Sequence, residues 1–405
     1  MKIKVAKGIQ ISLEKDVTLK MLIYVVWASM LLAFLKGVIL RIPILNDYSE
    51  TALSTAIIIP VVIAIPALIN QFCLGDYLFY FLNVFYLLAN FVIFPENTLY
   101  LADNALRCIF CIFTYYFIGR LIDIDKLFNT LVILSTICIY LDLFYFLVYA
   151  PRFSNMADVA GEDNMWGAYQ ILPHVAMILW ATLKKFRIWK VVTLLLGLLF
   201  LLSCGTRGPF VPLAFMGIIY FLFYMKFKGA VYVKIGIISA FLIVVFFLKD
   251  IILFLAQTFT GLQLSTRILE KFVSGEIGHD SYRGVLRDKL YAVMENGDHF
   301  WGLGIFGCRN YDILYPHYLP LDFICTYGYL IGYILLFLLF VFVAWAFWIT
   351  RGTKSQEFVL YLFSISIIKL FLSNSFILEP YFFMLIGFCS KEILSWYFTN
   401  IKQQR

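Results

Sequence analysis

The sequence contains little charge for its size. Only 14% of its 405 residues are Asp, Glu, Lys or Arg, whereas soluble domains carry about 25%. Hydrophobic residues make up 62% of the chain, and a water-soluble globule could not bury that many apolar side chains. The composition therefore excludes a soluble enzyme, a disordered protein and a disulfide scaffold. It favours a chain that lies almost entirely within a membrane.

Other features are also missing. No signal-peptide core precedes the first apolar run, so we expect that run to remain as a membrane anchor. Cys108 and Cys111 form a CxxC pair without a second pair to complete a zinc site, and the eight cysteines show no disulfide framework. No linker, charge block or internal repeat divides the chain. We therefore predict one integral membrane domain over residues 1–405, without metal or cofactor and without a nucleic-acid partner.

Long apolar runs dominate what is present. Long runs are typical of membrane helices, whereas short alternating runs are typical of membrane barrels. The pattern predicts an all-α polytopic bundle of about 12 transmembrane helices in a lipid bilayer. The runs fall at about 19–40, 52–72, 77–94, 101–118, 127–149, 167–183, 189–205, 209–225, 232–255, 321–349, 357–376 and 380–397.

Lysine and arginine predict the orientation of these helices. With both termini in the cytoplasm, the cytoplasmic segments hold 19 cations, whereas the short outer loops hold Arg41, Arg152 and Arg207. Cytoplasmic loops of membrane proteins are enriched in Lys and Arg, so this orientation is favoured. It also explains the net charge of +7.

Residues 250–320 form one large loop, which this orientation places outside the membrane. A helix is predicted within it, because Asp280-Ser281 offers an N-cap and Asn296-Gly297 a stop. Its apolar stripe at helical spacing comprises Leu286, Leu290, Val293 and Met294. We expect a short helix lying against the membrane surface.

Several cationic side chains on or near the outer side of the membrane are candidate ligands for an anion. Arg283 and Arg287 share one face of the predicted helix and could grip a diphosphate, or they could form a solvated face. Arg207, in a tight glycine-bracketed hairpin, is either a ligand or a snorkelling arginine. Lys36, Arg107 and Lys369 fall within apolar runs, where they suit an anionic headgroup, although Arg107 could instead pair with Asp142.

One histidine and two aromatic residues complete the candidates. His317 precedes the tenth apolar run, where it could titrate near neutral pH and act as a base, or serve as an interfacial residue. Trp301 and Tyr315 could stack against sugars, although most aromatic side chains in such a chain face lipid.

The order of these motifs resembles the O-antigen polymerase and O-antigen ligase superfamily over about residues 195–335. The resemblance rests on a Thr-Arg-Gly hairpin, an arginine on a loop helix, a glycine-rich turn and a histidine that precedes a Gly-x-x-Gly span. The matching segments are Thr206–Gly208, Arg283, Trp301–Gly307, Tyr315–Leu319 and Tyr327–Gly332. The chain departs from the pattern at Tyr318, where the family has an asparagine, so the partner that orients His317 is unknown from the sequence.

The resemblance implies an inverting, metal-independent glycosyltransferase on the outer face of the bacterial cytoplasmic membrane. Arg207 and Arg283 would hold the diphosphate of a polyprenyl-linked oligosaccharide donor, Arg287 would assist, and His317 would be the catalytic base. The acceptor would be a second lipid-linked repeat unit of O-antigen or capsule, and a chain-length regulator is a further conceivable partner. An O-antigen ligase that transfers to lipid-A core and a transporter for lipid-linked sugars are the alternatives.

Overall fold

The computed structural model describes residues 2–6, 9–12, 73–149, 160–204, 206–224, 253–254, 257–258, 283–296 and 300–404. These residues are helical almost throughout, so the predicted helical fold class is confirmed. A short antiparallel hairpin of β1 (Lys2–Ala6) and β2 (Ile9–Ser12), with Lys2 opposite Ser12, is the element that the sequence analysis missed.

The helices follow the predicted apolar runs closely, but several are interrupted. The first group comprises α1 (Leu74–Ile93), α2 (Thr98–Phe110), α3 (Tyr116–Leu121), α4 (Ile124–Tyr149), α5 (Ala160–Lys184), α6 (Ile188–Ser203) and α7 (Phe210–Ile219). The second comprises α8 (Arg283–Asn296), α9 (Leu319–Tyr327), α10 (Tyr329–Ile349), α11 (Lys354–Phe363) and α12 (Pro380–Gln404).

Short non-α turns join or extend several of these helices. Three are π-helical segments: Cys111–Tyr115 links α2 to α3, Tyr220–Tyr224 extends α7, and Ser364–Ile368 extends α11. Three are 3-10 turns, at Pro95–Asn97, Gly307–Tyr311 and Phe376–Leu378. Such segments often mark functional positions in helical proteins.

Four helical stretches are long and apolar enough to cross a membrane: Leu74–Ile93, Pro95–Leu121, Ile124–Phe144 and Tyr329–Ile349. Ile188–Ser203 and Phe210–Tyr224 are shorter apolar helices. A membrane protein is therefore supported. The predicted runs at 19–40 and 52–72, and nearly all of the run at 232–255, lie outside the described residues, so the total of about 12 spans stays a prediction.

The contacts divide the chain into two compact units. Unit 1 comprises Met1–Ser29, Ile44–Phe128 and Tyr282–Arg405, and unit 2 comprises Met30–Pro43 and Asn129–Ser281. In unit 1, α3 and α12 pack very closely, because Gly119 and Gly387 present no side chain at their contact. A methyl group on either glycine would collide with backbone atoms of the opposite helix. Close approach through small residues is a common way for membrane helices to associate.

Unit 1 has two chemically different ends. At the first, which we call the Arg120 end, Arg120 pairs with Asp76, Lys354 pairs with Asp125, and the Lys391 ammonium donates to the Ile122 carbonyl. The opposite termini of the same helices meet at what we call the His317 end. There the last turn of α1, the 3-10 turn after it and the end of α9 contact residues 300–311. The predicted outer loop thus packs at the end opposite to Arg120, Lys354 and Lys391.

Candidate functional site

Helix α8 is the ordered part of the predicted outer loop. It ends at Asn296 as predicted, whereas its predicted N-cap at Asp280-Ser281 lies outside the described residues. The predicted apolar stripe is confirmed, because Leu290 and Met294 are buried and Leu286 and Val293 pack beside them. Their cluster includes Leu303, Cys308, Ile313, Leu321, Ile324 and Cys325. The stripe therefore fastens α8 to the chain that follows it.

Arg283 and Arg287 lie one turn apart at the start of α8, and both are half-buried. The Arg287 guanidinium lies 5.8 Å from the centre of the Tyr318 ring, a geometry in which a cation is attracted to the ring face. The Tyr318 ring in turn packs edge-on against Phe371 at 5.6 Å. Tyr318, the departure from the family pattern, thus links Arg287 to the turn between α11 and α12.

The glycine-rich turn Trp301–Gly307 fits onto the junction of α9 and α10. Gly302 and Gly328 both have left-handed φ values, 84° and 82°, and their backbones approach closely. The Leu303 amide donates to the Cys325 carbonyl at 2.6 Å. Side chains at either glycine would force the two segments apart, which explains why both motifs contain glycine.

Two asparagines that the sequence analysis missed hold this turn in place. Asn90, inside the apolar α1, accepts from the Ile305 amide at 2.7 Å. Asn97 donates to the Leu303 carbonyl at 2.7 Å and accepts from Asn310 at 2.6 Å. Both asparagines are fully buried. Their signal in the sequence is an amide within or next to an apolar run, which is costly to bury unless it binds a specific partner.

His317 lies beside these arginines in a constrained conformation. Its φ is 54°, in the left-handed region, and its ring lies 4.3 Å from that of Tyr315. Its Nδ1 is buried and has no hydrogen-bond partner among the described residues. A buried polar atom without a partner is uncommon in proteins and often marks a functional position.

Burial and neighbouring charge set the basicity of His317. Burial is the largest influence and the positive charge of Arg283 the next, with Arg287 contributing less, and together they lower the pKa of His317 to about 4. The prediction that this histidine titrates near neutral pH is therefore wrong for the free protein. Because the charges of Arg283 and Arg287 both contribute to this low pKa, both arginines act on His317. A bound anion that offset their charge would raise the pKa again.

The remaining candidates have different surroundings. Arg207 lies in unit 2, in the short segment between Ser203 at the end of α6 and Phe210 at the start of α7. Arg107 is exposed in the last turn of α2. Lys369 forms an ion pair with the fully buried Glu379 at 2.5 Å. Lys36 lies outside the described residues.

Trp301 borders a second feature of the His317 end. Its side chain is 66% exposed and packs edge-on against Phe300. Trp301 lines a cavity of about 460 Å³ together with Glu96, Asn310 and Tyr311. Flat aromatic rings beside amide and carboxylate groups can bind a polar ligand that also has an apolar face.

No group of three or more His, Cys, Asp or Glu side chains is placed to hold a metal ion in the part of the chain that the structure describes. Cys108 and Cys111 are buried at the junction of α2 and the following π-helical segment. The chain matches no protein-family model, no curated protein and no solved structure. Its function must therefore be argued from these residues and their geometry.

Proposed function

We propose that the protein is a glycosyltransferase that polymerises polyprenyl-diphosphate-linked oligosaccharide repeat units, as in O-antigen or capsule synthesis. The observation that carries the proposal is the convergence of Arg283, Arg287 and His317 at one end of unit 1, where both arginine charges act on the imidazole. Arg283 and His317 are among the residues on which the resemblance to the O-antigen polymerase and ligase superfamily rests, and the resemblance makes Arg287 an assisting residue.

The arginine pair suits a diphosphate. Guanidinium groups donate paired hydrogen bonds that match phosphate oxygens, and they remain charged at any physiological pH. Negative charge grows on the leaving diphosphate during transfer, so fixed cations in a half-buried site stabilise the transition state more than the ground state.

In the proposed reaction an acceptor hydroxyl attacks the anomeric carbon of the donor glycan. The new carbon–oxygen bond forms as the bond to the diphosphate breaks, with inversion at that carbon, and polyprenyl diphosphate leaves with the bonding electrons. The His317 imidazole takes the hydroxyl proton. A base with a pKa of about 4 is weak, but the bound diphosphate offsets the charge of Arg283 and Arg287 and so strengthens it.

The ends of unit 1 support a specific orientation in the bacterial cytoplasmic membrane. The Arg120 end collects Arg120, Lys354 and Lys391, and cations are enriched on the cytoplasmic side of membrane proteins. The His317 end then faces the periplasm or cell exterior, where lipid-linked repeat units are displayed. About twelve spans with both termini cytoplasmic fit this orientation, and the cavity beside Trp301 would receive a sugar of donor or acceptor.

The decisive experiment is polymerisation of lipid-linked repeat units by the purified protein in liposomes, with EDTA present. We expect a ladder of products from the wild type and at least a 100-fold lower rate from Arg283→Ala, because loss of one fixed donor to a developing anion costs about that much. Arg351→Ala, at the Arg120 end, is the matched control and should behave as the wild type.

The same assay tests the alternatives. A single transfer to lipid-A core without a ladder would identify a ligase. Movement of the lipid-linked glycan across the bilayer without transfer to either acceptor would identify a transporter, and the proposal would be wrong in both cases.

A further inference from the structure

The cavity beside Trp301, which we call the Trp301 cavity, is formed by three segments that are distant in the sequence. They are the end of α1 with the 3-10 turn after it, the glycine-rich turn Trp301–Gly307 and the 3-10 turn Gly307–Tyr311. Its volume of about 460 Å³ falls within the range of about 300–1,000 Å³ that is typical of small-molecule sites. The cavity is therefore large enough to hold a ligand.

A buried asparagine holds two walls of the Trp301 cavity together. Asn97 is fully buried, its amide nitrogen donates to the Leu303 carbonyl at 2.7 Å, and its amide oxygen accepts from the Asn310 amide at 2.6 Å. Leu303 and Asn310 both line the cavity. A methyl group on Gly307 would lie only 2.6 Å from the Leu303 side chain and 3.2 Å from that of Asn97. Satisfied polar networks in the interior rigidify their surroundings, so the cavity has a fixed shape before any ligand enters.

The Trp301 cavity combines a large aromatic ring with hydrogen-bond acceptors. The Trp301 side chain is 66% exposed, and Phe300 packs against it edge-on with the ring centres 5.2 Å apart. Glu96 and Asn310, which also line the cavity, are exposed. A carboxylate only accepts hydrogen bonds, and the Asn310 amide oxygen remains to accept because its nitrogen donates to Asn97. A ligand for this cavity needs an apolar face and several donors.

A pyranose ring meets both requirements. It presents C–H groups on one face, which pack against an indole ring, and O–H donors around its edge, which match carboxylate and amide oxygens. A phosphate group lacks an apolar face, and the negative charge of Glu96 would repel it. The cavity therefore differs in chemistry from Arg283 and Arg287, which suit the diphosphate.

We infer that the Trp301 cavity is a saccharide subsite, in which a pyranose ring stacks on the Trp301 indole and its hydroxyls donate to Glu96 and Asn310. That the sugar belongs to a lipid-linked repeat unit rests on the function proposed above. Binding of a free sugar requires no turnover, so the subsite and the glycosyltransferase can be tested separately.

Saturation-transfer NMR of the full-length protein in nanodiscs tests the stacking contact. The probes are the methyl glycosides of glucose, galactose, mannose and N-acetylglucosamine. We expect transfer to at least one of them, strongest at the C–H protons of the stacked face, and an affinity at least about 5-fold lower in Trp301→Ala. Trp301→Phe keeps a ring and should lose less. Trp348→Ala is the matched control, because Trp348 is also 66% exposed but lies near the end of α10, at the Arg120 end.

Two substitutions at Glu96 test the polar contact in the same measurement. Glu96→Gln keeps an oxygen that accepts from a sugar hydroxyl, whereas Glu96→Ala removes it. We expect an affinity about 10-fold lower in Glu96→Ala, because a hydrogen bond to a charged group is lost, and a smaller decrease in Glu96→Gln. Equal affinities of Glu96→Ala and the wild type would show that Glu96 does not bind the sugar.

The outcomes separate the saccharide subsite from the proposed function. Saturation of none of the four sugars, or equal saturation with the wild type and Trp301→Ala, would overturn the subsite. Saturation of choline in place of the sugars would also overturn it, because aromatic faces also bind quaternary ammonium groups. Sugar binding that is lost in Trp301→Ala, together with no glycan transfer to any acceptor, would leave the subsite intact and refute the glycosyltransferase. Glycan transfer without sugar binding would refute the subsite alone.

Discussion

The two ends of unit 1 are built from the same helices but treat charge and backbone in opposite ways. At the Arg120 end, the buried Asp76 carboxylate accepts from the Arg120 guanidinium, the Tyr116 hydroxyl and the Cys73 amide. At the His317 end, the charges of Arg283 and Arg287 instead lower the pKa of a half-buried imidazole, whose Nδ1 has no hydrogen-bond partner within the described part of the chain. Saturated polar groups favour stability, whereas an unsatisfied one is a common sign of function.

The two ends of unit 1 also differ in backbone conformation. Among the described residues, the positions with positive φ at the His317 end are Gly302, Gly304, Phe306, Asp312, His317, Gly328 and Asn374, whereas the Arg120 end has only Gly352. Uncommon backbone conformations cost energy and cluster where function requires them. The comparison therefore predicts that mutations at the Arg120 end affect stability, and those at the His317 end affect turnover.

The largest expected effect is on turnover. His317→Ala removes the proposed base and should lower the rate of glycan transfer by about 10²–10⁴-fold, while the thermal unfolding temperature changes little. The rate is measured with purified protein and lipid-linked repeat units. Retention of most of the turnover would show that another group takes the proton and would remove the contrast between the ends.

The next largest effect is on stability. Arg120→Ala leaves the Asp76 carboxylate buried without its cation, and breaking a buried pair in this way costs about 3–5 kcal/mol. Lys354→Ala removes the cation of an exposed pair and should cost about 0–1 kcal/mol. Reversible unfolding in mixed micelles measures both values. Activity per folded molecule should remain that of the wild type, and a selective loss of turnover in Arg120→Ala would contradict the assignment.

The third effect is on ionisation. His317 should protonate only near pH 4 in the free protein, because burial and the charge of Arg283 keep its pKa below the ordinary value of about 6.5. Inorganic pyrophosphate should raise the pKa towards that value, and Arg287→Gln should raise it by a smaller amount. A ¹⁵N NMR titration of His317 measures these shifts. If pyrophosphate left the pKa unchanged, an anion site at these arginines would be contradicted.

The smallest effect concerns Tyr318. Tyr318→Leu removes the ring beside the Arg287 guanidinium, an interaction worth about 0.5–1 kcal/mol at partly exposed sites. We expect a rise of about two- to five-fold in the KM for the lipid-linked donor, whereas Tyr318→Phe should match the wild type because its ring remains. Equal effects from both variants would indicate that the hydroxyl group matters instead.

Local patterns predicted part of the site correctly. The spacing of Leu290 and Met294 identified α8 and its buried face, and Asn296-Gly297 its end. The Thr206-Arg207-Gly208 sequence marked the break between α6 and α7. These features depend on residues a few positions apart, where helix periodicity and turn chemistry leave a direct trace in the sequence.

Long-range contacts account for what the sequence analysis missed. Asn90 and the Ile305 amide are separated by 215 residues, and Asp322 and the Phe376 amide by 54. Lys369 was expected to face an anionic headgroup, but Glu379, ten residues later, pairs with it after the chain has turned. No periodicity encodes such encounters.

The sequence by itself determined that this chain is a helical membrane protein. Its apolar runs are too many to be buried in a soluble core, and most are long enough to cross a membrane as helices. It also determined which loop residues could carry charge to a site. Only the tertiary structure decided that Arg283, Arg287 and His317 meet, that Nδ1 of His317 is buried without a partner among the described residues, and how weak a base the imidazole is. Basicity depends on burial and on the distance to other charges, and both are properties of the folded chain.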